Sequence, residues 1–188
     1  MLKLSTPENK KTVLVHSCCA PCSLAIIECL LQNNIRPVVL YFNPNIYPID
    51  EYKKRKNEII RYFQVLNIQY IDFKYDHDKW IEKIIGQEDE PERGSRCFTC
   101  FLFRLEVTAS YAQKLGFKLF TTTLASSRWK NTDQIFEAGR QAASQFPNTI
   151  FWEQNWRKGG LSERRNELMK EWQFYNQTYC GCEFSMRK

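Results

Sequence analysis

No apolar run in this chain is long enough to cross a bilayer. The stretch Met1–Asn9 has none of the apolar core that marks a secretory signal. The expected compartment is therefore the cytoplasm, with no membrane partner, where thiols stay reduced. With 7 Gly and 7 Pro the chain is not low-complexity, and no internal repeat of fixed period is visible. Glycine is missing where a nucleotide-binding enzyme would need it. A phosphate-binding loop after a first strand is glycine-rich so that backbone can approach the phosphates; here that place holds His16-Ser17-Cys18-Cys19-Ala20-Pro21-Cys22. ATP-dependent chemistry is correspondingly disfavoured. Histidine is limited to His16 and His77.

What remains suits a globular chain: 188 residues, 43% hydrophobic and 14% aromatic, enough for one domain with a proper core. Residues 1–188 are expected to form a single catalytic domain, with 1–10 and 183–188 as flexible termini. Lys plus Arg number 27 against 21 Asp plus Glu, and the net charge of +6 suits a polyanion such as RNA, although many basic proteins bind none.

Hydrophobic period places strands at Lys11–Val15, Arg36–Phe42, Gln69–Tyr75, Lys118–Thr123 and Thr149–Glu153. Helices are predicted at Ser23–Asn33, Ile49–Asn67, Asp78–Ile85, Cys97–Leu115 (closed by Gly116), Thr132–Phe146 and Leu161–Tyr175. Alternating strands and helices argue for a parallel sheet covered on both faces. Ligands of such sheets bind beyond the carboxyl ends of the strands. That edge collects the first cysteine group, the Asn43–Pro48 loop, Thr121–Asn131 and Arg157-Lys158-Gly159-Gly160.

Seven of the eight cysteines fall into three groups, Cys18-Cys19-Ala20-Pro21-Cys22, Cys97-Phe98-Thr99-Cys100 and Cys180-Gly181-Cys182. In a reducing compartment such groups bind metal or carry redox chemistry more often than they staple a fold. The Cys97/Cys100 spacing puts both sulfurs on one face of a helix's first turn, whose positive end favours thiolates. Adjacent Cys18 and Cys19 suit a polynuclear cluster, and with Cys97 and Cys100 they make the four thiolates of a [4Fe–4S] cluster. A zinc site on the same four is the competing assignment. Cys22 is a spare thiol that either ligates a second metal ion or starts the helix. Cys29, within an apolar run, reads as core. Cys180 and Cys182 would close a small strained ring, the kind of disulfide that is labile or catalytic; incidental thiols or extra metal ligands are the alternatives. His16, at a strand end beside the cysteines, is either a proton donor or a satisfied structural histidine.

These residues together resemble the QueH family of epoxyqueuosine reductases. The likeness runs from Val13 to Ser185 and is carried by His16–Cys22, Tyr41–Ile46 with Glu51, Tyr52 and Arg55, and Glu90–Gly94 with Arg96, Cys97, Cys100 and Phe101. It continues through Arg104–Glu106, Phe120–Leu124 with Lys130 and Asn131, and Tyr179–Cys182 with Phe184 and Ser185. One departure is Ser126-Ser127-Arg128-Trp129, where the family typically has a serine-proline pair. The fold class expected is α/β, a single-domain Rossmann-like (HUP-like) parallel sheet with helices on both faces.

The resemblance implies the last step of queuosine synthesis in tRNA, a two-electron deoxygenation of the epoxide of epoxyqueuosine. It implies a [4Fe–4S] cluster on Cys18, Cys19, Cys97 and Cys100, and a redox-active disulfide of Cys180 and Cys182. It also implies an additional mononuclear iron, for which Cys22 is the candidate ligand, and an electron donor that the sequence does not identify. An acid must protonate the departing oxygen; the candidates are His16, Tyr47, Asp50 and Tyr179. Phosphate contacts are expected from Arg128, Lys130, Arg157, Lys158, Arg164 and Arg165, with Trp129 and Trp156 available to stack on a base. Two rival readings are an ATP-dependent tRNA thiolation enzyme and a zinc-stabilised RNA-binding module without catalysis.

Overall fold

The computed structural model describes residues 2–186. Among them five parallel strands form one sheet: β1 (Thr12–His16), β2 (Arg36–Tyr41), β3 (Tyr70–Asp72), β4 (Leu119–Thr122) and β5 (Ile150–Phe151), in the order β3-β2-β1-β4-β5. The helices are α1 (Ala20–Gln32), α2 (Ile49–Val65), α3 (His77–Lys83), α4 (Ser95–Lys114), α5 (Thr132–Ser144) and α6 (Leu161–Glu171). This is a Rossmann-like α/β arrangement. The central strand β1 carries Val13, Leu14 and Val15, all without solvent exposure. A parallel strand covered on both faces has no solvent side, so its sequence reads as an unbroken apolar run.

One face is covered by α1, α2 and α6 and the other by α4 and α5 with α3 alongside. The α5 helix lies close against β5 because Gly139 has no side chain; a Cβ there would come within 2.1 Å of the Phe151 ring. The N-terminal residues are tied in: Leu4 N–H donates to Asn33 Oδ1 (2.9 Å) and Asn33 Nδ2 donates to Leu2 O (3.0 Å). Of the termini expected to be flexible, Met1, Arg187 and Lys188 lie outside the described residues.

Every predicted strand and helix is present, with shifted ends. The first helix begins three residues earlier than its apolar pattern suggests, at Ala20, with Pro21 in the first turn, where its missing N–H is harmless. The last helix ends at Glu171 rather than Tyr175, and Gln173 turns the chain out at φ +51°. Residues 172–186 then run back across the sheet's carboxyl edge towards the first two loops. The third strand is three residues at a half-exposed edge, shorter than its alternation suggests.

The strand order places a switch point between β1 and β4. From β1 the chain moves to β2 on one side, and β4 lies on the other, so the loops leaving these two strands diverge and open a crevice. His16 is in register with Thr122 across that pair. The first cysteine group leaves β1 at this crevice.

Candidate metal and redox site

The turn from β1 into α1 is built by hydrogen bonds that fix the cysteines. Ser17 N–H donates to Leu40 O (3.0 Å), Cys18 N–H donates to Thr123 Oγ1 (3.2 Å), and Ser23 O–H donates to Cys19 O (2.9 Å). Cys19 is extended (φ −171°) and occupies the N-cap of α1. The sulfurs of Cys18, Cys19 and Cys22 all lie within 4.8 Å of one another, with Cys18 and Cys19 in contact at 3.7 Å. Cys22, which sequence spacing leaves as a spare thiol, is thus a full member of the group.

The protonation of this trio is uneven. Thiol donors from Cys19 and Cys22, aided by Lys130 and Arg104, hold Cys18 well below the usual thiol range. The same contacts and burial push Cys19 up, and contact with Cys18 raises Cys22 to about 11. Cys18 is therefore the most acidic thiol of the trio, beside the positive end of a helix. Burial alone would lower Lys130, but Cys180, Cys22, Cys18 and Cys19 face it and the net shift is upward. A buried cluster of thiols with cations at hand is a donor set suited to a metal bound by sulfur. The three-cysteine group can hold a metal centre.

A cavity of about 750 Å³ opens at this point, lined by Cys18, Cys19, Cys22, Cys97, Cys180 and Cys182. Cys97 enters from the first turn of α4 and accepts from Arg93 N–H (3.2 Å). Cys100 sits one turn on, 7% exposed and outside the lining, packed with Trp80, Ile84 and Cys182. Arg104 Nη1 lies 3.9 Å from its sulfur. Burial raises the thiols of both Cys97 and Cys100. All three cysteine groups thus meet in and around one cavity. Cys29 is elsewhere, fully buried in the core with its S–H directed at Leu2 O (3.6 Å).

The third group is held by the second loop and α2. Arg55 donates from Nη1 to Cys180 O (3.0 Å) and from Nη2 to Tyr179 O (3.2 Å), while its Nε pairs with Glu51 (2.7 Å). Tyr47 N–H donates to Gly181 O (2.8 Å), and His77 bridges Pro44 O (2.8 Å) and Glu183 Oε1 (3.2 Å). Gly181 adopts φ +138°, and a Cβ there would approach Arg55 Nη1 to 3.1 Å and Ile46 Cγ1 to 3.2 Å. The positive φ favours glycine between these cysteines, and a side chain there would press on Arg55 and Ile46. Gly181→Ala is expected to destabilise the fold by about 1–3 kcal/mol, measured as a lower urea midpoint, with an unchanged midpoint counting against this packing. Cys180 is exposed, whereas Cys182 is buried and pushed up to about 12 by that burial.

Eight cationic side chains line the cavity, Arg55, Arg93, Arg96, Arg104, Arg128, Lys130, Arg157 and Arg165, against one carboxylate, Glu92. Of the eight, Arg55 alone has a carboxylate partner among the described residues. Burial and the nearby Arg93 guanidinium together push Arg157 down, a sign of like charges crowded together. An unneutralised positive concavity focuses field on anionic ligands.

Four of the six expected phosphate contacts, Arg128, Lys130, Arg157 and Arg165, are cavity residues. Arg164 is not: it is saturated by Glu28, Glu167 and Glu171. Lys158 is exposed outside the lining. Trp156 cannot stack on a ligand base, because it is 2% exposed and packed edge-on against Trp152. His16 is corrected as well. Its ring is fully buried between Thr122 Oγ1 (2.8 Å) and Phe42 O (3.1 Å), outside the cavity lining. Burial, with Arg104 adding to it, lowers its pKa to about 3, and with both ring nitrogens engaged it ties the strand end together rather than facing the cavity. Tyr47 and Asp50 are exposed and outside the lining, and Asp50 pairs with Lys53. Tyr179 does line the cavity, with its hydroxyl donated to Tyr47 O.

Sequence reasoning did not single out the cavity roles of Arg55, Arg96 and Arg104. The available signal was a charged residue inside an otherwise apolar helical stripe, as with Arg55 between Tyr52 and Ile59. Gln177, whose Nε2 donates to Cys19 Sγ (3.0 Å), gave no such signal because it lies in an irregular segment.

A sequence model of the family described as "Epoxyqueuosine reductase QueH" matches residues 13–188. The chain belongs to this family. A protein of Acinetobacter baylyi described as epoxyqueuosine reductase QueH is 47% identical over 186 residues, covering 99% of this chain and 85% of that protein. One of Haemophilus influenzae with the same description is 45% identical, covering 98% of this chain and 76% of the relative. One of Thermotoga maritima is 37% identical, covering 93% and 90%. The family match spans all three cysteine groups. Among the described residues no helix is long and apolar enough to cross a membrane.

Proposed function

We propose that this chain is an epoxyqueuosine reductase that acts on tRNA in the cytoplasm. The observation that carries this reading is the cavity in which six cysteines from three distant stretches meet seven cations that have no carboxylate partner among the described residues. In the proposal Cys18, Cys19, Cys97 and Cys100 hold a [4Fe–4S] cluster, Cys22 contributes to an additional iron, and Cys180 with Cys182 forms a dithiol/disulfide couple. Bound there, the iron–sulfur group supplies one-electron relay.

The chain's own residues divide the remaining work. Lys130 and Arg104 favour thiolate at Cys18 and offset the negative charge that sulfur ligands bring. Arg93, Arg128, Arg157 and Arg165 take phosphate oxygens and set the nucleic acid over the cavity. The loops that wrap the cavity limit the water reaching its floor. The balance closes on the tail: epoxide plus two electrons and two protons gives alkene plus water, and oxidation of the Cys180/Cys182 dithiol to a disulfide releases two electrons and two protons. An external electron donor then returns the disulfide to the dithiol.

Anaerobic purification with iron and sulfide analysis, followed by mass spectrometry of tRNA from a deletion strain, tests the reading. The expected result is a brown, iron-rich protein and accumulation of epoxyqueuosine in the tRNA. A colourless zinc protein would favour an RNA-binding module, and ATP-dependent sulfur incorporation would favour a thiolation enzyme; either overturns it.

A further inference from the structure

Trp129 is 62% exposed, the most exposed tryptophan side chain among the large hydrophobics at the surface, and it also lines the cavity. A ring placed so stands at the cavity mouth. Its turn is pinned: Arg93 Nε donates to Trp129 O (2.9 Å), Arg157 Nη2 donates to Lys130 O (2.8 Å) and to Ser127 O, and Lys130 N–H donates to Ser127 O (3.2 Å). Asn131 then caps α5 by accepting from Asp133 N–H (2.9 Å), so the turn runs directly into a helix. Arg128 places its guanidinium 5.0 Å from the Trp129 ring centroid. With so much of the ring in solvent, Arg128 leaves it an open face.

A tryptophan on a backbone turn that is already fixed, with a guanidinium near its ring, leaves less freedom for binding to remove. Bordered by cations that lack carboxylate partners, it does not suit an apolar protein partner. It suits a flat aromatic ligand whose backbone is anionic. Aromatic side chains stack on unpaired bases without regard to sequence, and basic neighbours track the phosphates. We propose that Trp129 is the stacking platform for an unpaired RNA base adjoining the nucleotide that enters the cavity, with Arg128 bracing the ring. This rests on the reading of the chain as a reductase acting on tRNA.

The test measures equilibrium binding of the whole protein to tRNA and to a short single-stranded RNA, alongside conversion of epoxyqueuosine in tRNA. Trp129→Ala is expected to weaken RNA binding about tenfold, Trp129→Phe to retain most of the affinity, and the thermal midpoint to stay unchanged because the ring is in solvent. Equal affinity of Trp129→Ala and the unaltered chain, with epoxyqueuosine still converted, overturns the platform and leaves the reductase reading intact. Equal losses in the Phe and Ala variants also overturn it, since stacking should survive in Phe. Failure of the unaltered chain to bind or convert tRNA overturns both.

Discussion

Cys18→Ser is expected to strip the bound metal and bring epoxide reduction to background. Cys18 is the most acidic thiol of its group, donated to by Cys19 and Cys22 and faced by Lys130 and Arg104. Serine at that place offers a hydroxyl that stays protonated and binds iron poorly. The control is Cys29→Ser, a change in the apolar core outside the cavity lining, which should leave metal content and activity in place. Cys22→Ser separates two arrangements. If the cluster rests on Cys18, Cys19, Cys97 and Cys100, this variant keeps the cluster absorbance and loses only the additional iron. If Cys18, Cys19 and Cys22 form the principal metal site, as their mutual contact alone would suggest, it loses all metal together. Retention of full iron and activity in Cys18→Ser would sink both arrangements.

The fold was legible in the sequence because its central strands are buried on both faces and carry runs such as Val13-Leu14-Val15, bounded by turn formers. The same rule explains the errors at the edges. The third and fifth strands are short and touch fewer neighbours, so their pattern extends beyond the residues that pair. The start of α1 was obscured because its first turn, Ala20-Pro21-Cys22-Ser23, carries no helical period.

At the site, sequence spacing divides seven cysteines into three groups, and residues of all three groups line one cavity. What spacing does not contain is the angle at which separate elements meet. The joining of Cys18, Cys19 and Cys22 into a tight trio follows from the extended backbone of Cys19 at the head of α1. Two of the carboxylates that saturate Arg164, Glu167 and Glu171, lie on its own helix, but the third, Glu28, comes from the packing of α6 against α1, which no local pattern announces. His16 illustrates the same limit. Its neighbours in sequence are cysteines, but its neighbours in space are a threonine hydroxyl and a backbone carbonyl.

Cys180→Ser is expected to keep the metal and lose steady-state turnover to background. The two tail cysteines are not equivalent. Cys180 is exposed at the cavity, within reach of an external reductant, while Cys182 is buried, raised to about 12 and set beside Ser185 Oγ at 3.4 Å. A disulfide between them would therefore be opened by attack on the exposed Cys180 sulfur, with Cys182 departing and taking up a proton; its raised pKa makes it a slow leaving group unless that proton is delivered as the bond breaks. Arg55 and the second loop hold the backbone of this pair through the Cys180 and Gly181 carbonyls. Two measurements check the assignment. In the unaltered chain, one turnover without added reductant should consume two thiols that can otherwise be alkylated, and mass spectrometry should place both on the 180–182 segment. In Cys180→Ser, iron content and cluster absorbance should match the unaltered chain while repeated turnover with a thiol reductant fails. Normal repeated turnover in that variant would mean that the electrons of the reaction bypass the tail, and that Cys182 is buried for packing alone.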